Sequence, residues 1–297
     1  IEACLVGSEM CIRDRIKDEQ DQPSNLTRRE FNALAAGASM AFSFPALANP
    51  LKTVSQDVDI PTADGVCDAL FVHPAEGTHP AVLIWPDILA LRPSFRAMAT
   101  RLAESGYAVL CINPYYRDAR SPVVETGESF RDDATRKKIY PLYQSLSPQT
   151  HVRDARAFVD WIDTQSAVDK NRPIGTMGYC MGGPTVMRAA AERADRIGAA
   201  CAYHPVSLAT EGEDSPHLLI PKINAACLIA LAENDDEQHP DDKDVLRQAF
   251  ADNKLLAEVT VFEGALHGWC VLDSRVYNEA QAEVAWSKTL ALFDRAL

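Results

Sequence analysis

Six near-continuous apolar runs recur along the chain: Ala81 to Trp85, Ala108 to Ile112, Ile174 to Tyr179, Ala199 to Tyr203, Cys227 to Leu231 and Glu258 to Phe262. Strands that are apolar on both faces must be covered on both faces, the condition of a parallel sheet packed between helical layers. Helical stretches fill the gaps: Ser94 to Glu104, His151 to Thr164, Pro184 to Arg193, Lys243 to Asn253 and Asn278 to Arg295. Ahead of them, Val54 to Ile60 and Val66 to His73, joined through Ala63-Asp64-Gly65, read as an antiparallel hairpin. The expected fold class is therefore α/β, with a mostly parallel central sheet, helices on both faces and an N-terminal antiparallel hairpin.

One strand-to-helix junction is special. Ile174-Gly175-Thr176-Met177 runs into Gly178-Tyr179-Cys180-Met181-Gly182-Gly183 and then into the helix former Val186-Met187-Arg188-Ala189-Ala190-Ala191. This is the context of the G-x-S-x-G nucleophile elbow of an α/β-hydrolase fold, with Cys in place of Ser. The glycines permit the sharp turn, and the first helix amides face the exposed side chain, where they favour a thiolate.

A nucleophilic thiol needs a base and an acid that orients the base, and in this fold they follow in the order nucleophile, acid, histidine. Glu233-Asn234-Asp235-Asp236 leaves the end of the Cys227 strand, and Asp235 is preferred there over Asp236 as the orienting acid. Val259-Thr260-Val261-Phe262 runs into Glu263-Gly264-Ala265-Leu266-His267-Gly268-Trp269, which puts His267 in a loop after the last strand. His73, His79, His204 and His239 all precede Pro and read as turn or loop starters. The remaining acids of Asn234 to Asp244 lack the Gly and closing Glu of a calcium loop and read as a solvated loop that begins with the orienting acid.

On these residues the chain resembles the dienelactone hydrolase family of α/β-hydrolases from about Val54 to the C-terminus. The likeness is carried by Gly178-Tyr179-Cys180-Met181-Gly182-Gly183, Asn234-Asp235 and Gly264-Ala265-Leu266-His267-Gly268. It implies a Cys180, Asp235, His267 triad and an oxyanion hole formed by the amides of Met181 and Ile88. It also implies that Asp87, one methylene shorter than the family's Glu, stands beside the resting thiol. Arg136 and Tyr140 match the family's Arg-x-x-x-Tyr segment, where the Arg binds a substrate carboxylate; read from the residues alone, the stretch is equally a solvated basic turn. Trp269 is assigned to the substrate pocket with them. The family's second carboxylate-binding Arg falls on Val271 here, and Arg275 is the nearest substitute.

The 249 residues from Asn49 onward suit one hydrolase domain, with Asn113 to Pro148 as a cap or substrate-binding insertion that contains the Arg136 helix. The formal net charge of −13 argues against nucleic acid or an anionic membrane as partner, and the small ester or lactone substrate is the only partner expected of a monomer. No apolar run reaches the ~20 residues of a spanning helix. There is no C-x-x-C and no metal-like Cys/His spacing, so no metal and no cofactor are expected. Cys111, Cys201 and Cys227 read as buried thiols, while Cys270 is either a packing residue or part of the pocket mouth. Thioester-forming acyl transfer, thiol-dependent amide cleavage and a non-catalytic binding role are the alternatives to hydrolysis.

Residues 1–48 read as a leader. Ile1 is not a start residue and Val6 to Arg15 looks like translated sequencing-adapter read-through, so residues 1–15 are expected to be foreign to the fold. Thr27-Arg28-Arg29-Glu30-Phe31 resembles the twin-arginine export signal, followed by the weakly apolar Ala33 to Leu47 and a small-x-small cleavage site at Ala46-Leu47-Ala48. The expected location is the periplasm, with no stable membrane association after cleavage, or the cytoplasm if the signal is not functional. Replacing Arg28 and Arg29 with Lys should leave precursor in the cytoplasm; unchanged periplasmic delivery in cell fractionation would rule out this route.

Overall fold

The computed structural model describes residues 49–297; the twin-arginine segment and the rest of residues 1–48 lie outside the described residues. The two alternating N-terminal strands form β1 (Thr53–Thr62) and β2 (Gly65–Pro74), paired antiparallel through a turn at Ala63-Asp64. They flank β3 (Ala81–Trp85), β4 (Ala108–Ile112), β5 (Ile174–Tyr179), β6 (Ile197–Tyr203), β7 (Ala226–Ala232) and β8 (Ala257–Phe262) in one eight-stranded sheet of order β1-β2-β4-β3-β5-β6-β7-β8. From β4 to β8 all pairings are parallel, while β2 joins β4 antiparallel.

Every residue of β3, β4 and β5 is buried, which is why their sequences show no alternation of apolar and polar residues. Side chains of β3 still alternate between faces. Ala81, Leu83 and Trp85 join one core with α3 (Pro148–Ile162), α4 (Gly182–Glu192) and α6 (Asp242–Asp252), whereas Val82 and Ile84 join the other with α1 (Pro93–Glu104) and α7 (Glu279–Ala296).

Helix ends follow their caps. Helix α3 begins at Pro148, three residues earlier than the apolar pattern indicates, because Ser147 and Thr150 form a reciprocal capping box. Its Ala155, Phe158, Val159 and Ile162 then recur on one face and meet the sheet.

The long insertion does contain a helix, α2 (Asp133–Gln144), which carries Arg136 and Tyr140. It lies over the sheet's C-terminal edge and places Ile139, Leu142 and Tyr143 in an apolar cluster with Ile88, Tyr115, Met181 and Cys180. One expectation fails. The acidic stretch after β7 is not a solvated loop; it starts with the short helix α5 (Glu233–Gln238), which buries Asn234 and Asp235. The turn that delivers these side chains inward leaves Glu237 exposed, so a dense acidic composition hides a buried pair.

Phe158 is fully buried and packs against the rings of Trp85 and Tyr116. Phe158→Ala should cost about 3–5 kcal/mol by cavity formation, whereas Leu256→Ala, at a residue 60% exposed, should stay within about 0.5 kcal/mol. Urea denaturation of both variants checks the contrast.

Candidate active site

The turn from β5 into α4 passes through Cys180, whose backbone takes φ 53°, a left-handed position that a residue with a side chain adopts only when its surroundings impose it. The Cys180 amide donates to the Tyr203 carbonyl at 3.0 Å, which ties the elbow to the end of β6. Close backbone approach fixes the neighbouring glycines. A Cβ at Gly178 would lie 2.4 Å from the Gly182 carbonyl oxygen, and one at Gly182 would lie 2.4 Å from that of Trp85. The helix start thus sits directly against the segment Trp85-Pro86 that leads into Asp87 and Ile88.

His267 arrives from the loop after β8. Its Nδ1 is 2.7 Å from Asp235 Oδ2, and the Cys180 side chain hydrogen-bonds to the same ring. Burial disfavours the imidazolium, but the Asp235 carboxylate and the Cys180 thiol outweigh it and hold the His267 pKa well above the usual histidine range. Of the two adjacent acids, Asp235 is buried and faces the histidine. Asp236 turns outward and accepts Lys243 through both oxygens at 2.8 Å.

Neither the Met181 amide nor the Ile88 amide donates to a protein acceptor among the described residues. Both residues belong to the apolar cluster that Cys180 packs against. Tyr115, fully buried, donates its hydroxyl to the Ile88 carbonyl at 2.9 Å and lies 3.3 Å from Met181 Sδ, so it braces both.

The other residues expected at the site are engaged by their own neighbours. Asp87 does not turn to the thiol; it is paired with Arg92, with Nη1 to Oδ1 at 2.6 Å and Nη2 to Oδ2 at 2.9 Å, and also accepts the Leu89 amide. The shorter acid closes a turn on its own loop. Arg136 folds back onto the start of α2, pairing with Asp133 and donating to the carbonyls of Phe130 and Arg131. Tyr140 is half-buried, its ring 6.4 Å from that of Tyr143. Trp269 needs a correction. It is fully buried, stacked on Phe262 and edge-on to His204, so its indole has no surface to offer a substrate. Val271 is buried, and Arg275 stands 3.6 Å from Asp132 at the start of α2. Cys270 is buried on the side of the sheet covered by α1 and α7, not at the site's mouth.

Sequence reasoning missed three supports. Asn234 Oδ1 accepts the His267 amide at 2.9 Å, Tyr115 braces the Ile88 loop, and His204, read as a loop starter, is buried with its ring 4.8 Å from that of His267. Only Asn234, adjacent to Asp235, carried a signal. Tyr115 and His204 act through contacts between distant segments.

Among the described residues no group of three or more His, Cys, Asp or Glu side chains could hold a metal ion. A mostly parallel sheet whose central strand bends through a strained cysteine, with an acid from the short helix after β7 and a histidine from the loop after β8, defines an α/β-hydrolase fold. The chain belongs to the dienelactone hydrolase family, whose family model matches residues 67–297. It is 24% identical over 238 residues to carboxymethylenebutenolidase of Pseudomonas putida, spanning 80% of this chain and 95% of that protein. Its fold is similar to that of a dienelactone hydrolase from Anabaena variabilis, with a TM-score of 0.60 at 16% identity, covering 82% of this chain and 99% of that one. A dienelactone hydrolase-like promiscuous phosphotriesterase from metagenomic libraries gives 0.65 at 20% identity, covering 82% and 98%.

The raised His267 pKa has a stability consequence. The folded state holds this proton more tightly than the unfolded chain, whose value is about 6.5, so the linked stability is fully present below that value and is lost as pH rises through the higher folded value. Asp235→Asn removes the main attraction. Urea denaturation should show the parent's advantage over Asp235→Asn largest near about pH 5.5 and shrinking as pH rises through the folded value; a gap that does not change with pH would contradict a protonated folded-state histidine.

Proposed function

We infer that the protein hydrolyses carboxylic esters or lactones through a thioester on Cys180. The observation that carries this reading is the chain of contacts from Asp235 through His267 to Cys180 at a strained elbow. In the first step the Cys180 sulfur attacks the carbonyl carbon while the amides of Met181 and Ile88 stabilise the oxyanion. His267 then protonates the departing alkoxide. In the second step His267 takes a proton from water, whose oxygen attacks the thioester, and the thiol is released with the carboxylic acid. Asp235 holds the ring with Nδ1 protonated, which leaves Nε2 to face the thiol. All the chemistry is supplied by these side chains and amides.

Thiol environments support the choice of nucleophile. Burial pushes the Cys111 and Cys201 thiols up and the Cys227 thiol to about 12, so these remain protonated and inert. Cys180 is the described cysteine that is not buried. On the substrate side, Ile88, Met181 and Val206 lie in an apolar cluster with Cys180, backed by the fully buried Tyr115 and Ile139, which suits the hydrocarbon part of an ester. With Arg136 engaged by its own helix, the proposed substrate class includes neutral esters as well as lactones that carry a carboxylate.

Cys180→Ala should lower turnover of p-nitrophenyl butyrate by at least about a thousandfold with the urea midpoint unchanged. Cys201→Ala should instead lower stability and spare turnover. Mass spectrometry of the parent during turnover should find the acyl group on Cys180. Full activity in Cys180→Ala would sink this mechanism.

A further inference from the structure

Arg92 is a buried cation shared by two loops. It is 4% exposed, and all five of its N–H groups are used. On one side Nη1 and Nη2 grip Asp87 at 2.6 and 2.9 Å, and Nη1 also donates to the Ala90 carbonyl at 3.2 Å. On the other, Nε and Nη2 grip Asp273, both at 2.8 Å. The two carboxylates come from different loops. Asp87 directly precedes Ile88, and Asp273 lies in the loop that carries His267.

The local geometry transmits this grip. Between Asp87 and Arg92 the chain turns through Ala90 at φ 62°, with the Leu89 amide on Asp87 Oδ1 and the Ala90 amide on the Asp87 carbonyl. Ile88 is therefore inside a closed ring of bonds. From His267 onward, successive turns join Trp269 to Leu266, Val271 to Gly268 and Ser274 to Val271, at 2.9, 3.2 and 2.9 Å. That segment is anchored at its start by Asn234 on the His267 amide and at its far end by Asp273 on Arg92.

We propose that Arg92 is a positioning residue for the reaction, a bidentate clamp that holds the Ile88 loop and the His267 loop in fixed relation across the Cys180 thiol. The proposal rests on the hydrolase reading above. A guanidinium is the side chain suited to this task, since its planar fork can bind two carboxylates edge-on at once, which an ammonium cannot. The two halves of the clamp serve different steps. Loss of the Asp87 half frees the Ile88 amide, needed only where an oxyanion forms. Loss of the Asp273 half loosens the histidine, needed wherever the thiol must give up its proton.

The test compares Asp87→Asn, Asp273→Asn and Arg92→Gln with the parent, using p-nitrophenyl butyrate turnover and the rate of Cys180 alkylation by iodoacetamide, which needs a thiolate but no oxyanion hole. Asp87→Asn should lower kcat by about ten- to a hundredfold, the range expected of a misplacement near 1 Å, with KM and alkylation nearly unchanged. Asp273→Asn should lower kcat and alkylation together. Arg92→Gln should show both losses, and if it fails to fold the two isosteric variants still decide. Turnover within about threefold of the parent in either Asp variant overturns the proposal, as does a loss that only follows the folded fraction in urea titration. A parent with no esterase activity and an inert Cys180 removes the hydrolase reading itself, and this inference with it.

Discussion

Cys180 occupies a left-handed backbone position that costs about 1–3 kcal/mol for a residue with a side chain, and the neighbouring structure exists in large part to hold it there. The parallel pairing of β5 between β3 and β6 fixes where the strand ends, and the Tyr203 carbonyl takes the Cys180 amide. The glycines on either side allow backbone to meet backbone, so the next helix starts within contact of the strand it must cross. Strain at one residue is thus offset by the most regular part of the fold. Cys180 stands at the sheet's C-terminal edge, in the turn that ends β5.

Around that fixed point the charges are arranged in two separate buried groups. One is Asp235 with His267, in which a carboxylate from a short helix meets an imidazole from the last loop. The other is Arg92 between Asp87 and Asp273. Buried ions are costly unless each is matched by well-placed hydrogen bonds, and both groups meet that condition by joining chain segments far apart in sequence. Polar contacts here set positions more than they add stability.

Much of the fold was legible because a strand covered on both faces must be apolar throughout, and Ala81 to Trp85 and Ala108 to Ile112 meet that requirement end to end. The elbow, Asp235 and His267 were legible for a different reason: each follows a strand directly, so chain order places it at one edge of the sheet. What stayed hidden depends on side-chain direction. Asp87 and Arg136 stand where charge could serve a substrate, yet each bonds to its own neighbourhood, and nothing in spacing shows which way a guanidinium or carboxylate will turn. Trp269 reads as a loop aromatic but folds under the loop to stack on Phe262. Arg92, five residues after Asp87, gave no signal because its second partner is 181 residues away.

The distribution of thiols among the described residues bears on how this protein meets an oxidant. Cys67, Cys111, Cys201, Cys227 and Cys270 are all buried, and among the described residues only Cys180 is partly exposed, beside the ring of His267. Among the described cysteines, peroxide would therefore act first on the sulfur proposed as the nucleophile, forming a sulfenic acid. No exposed partner thiol among the described residues stands ready to capture that species as a disulfide, so a second oxidant molecule can carry it on to the irreversible sulfinic state. On the proposed mechanism, the exposure that opens Cys180 to substrate also opens it to oxidation, which would end turnover.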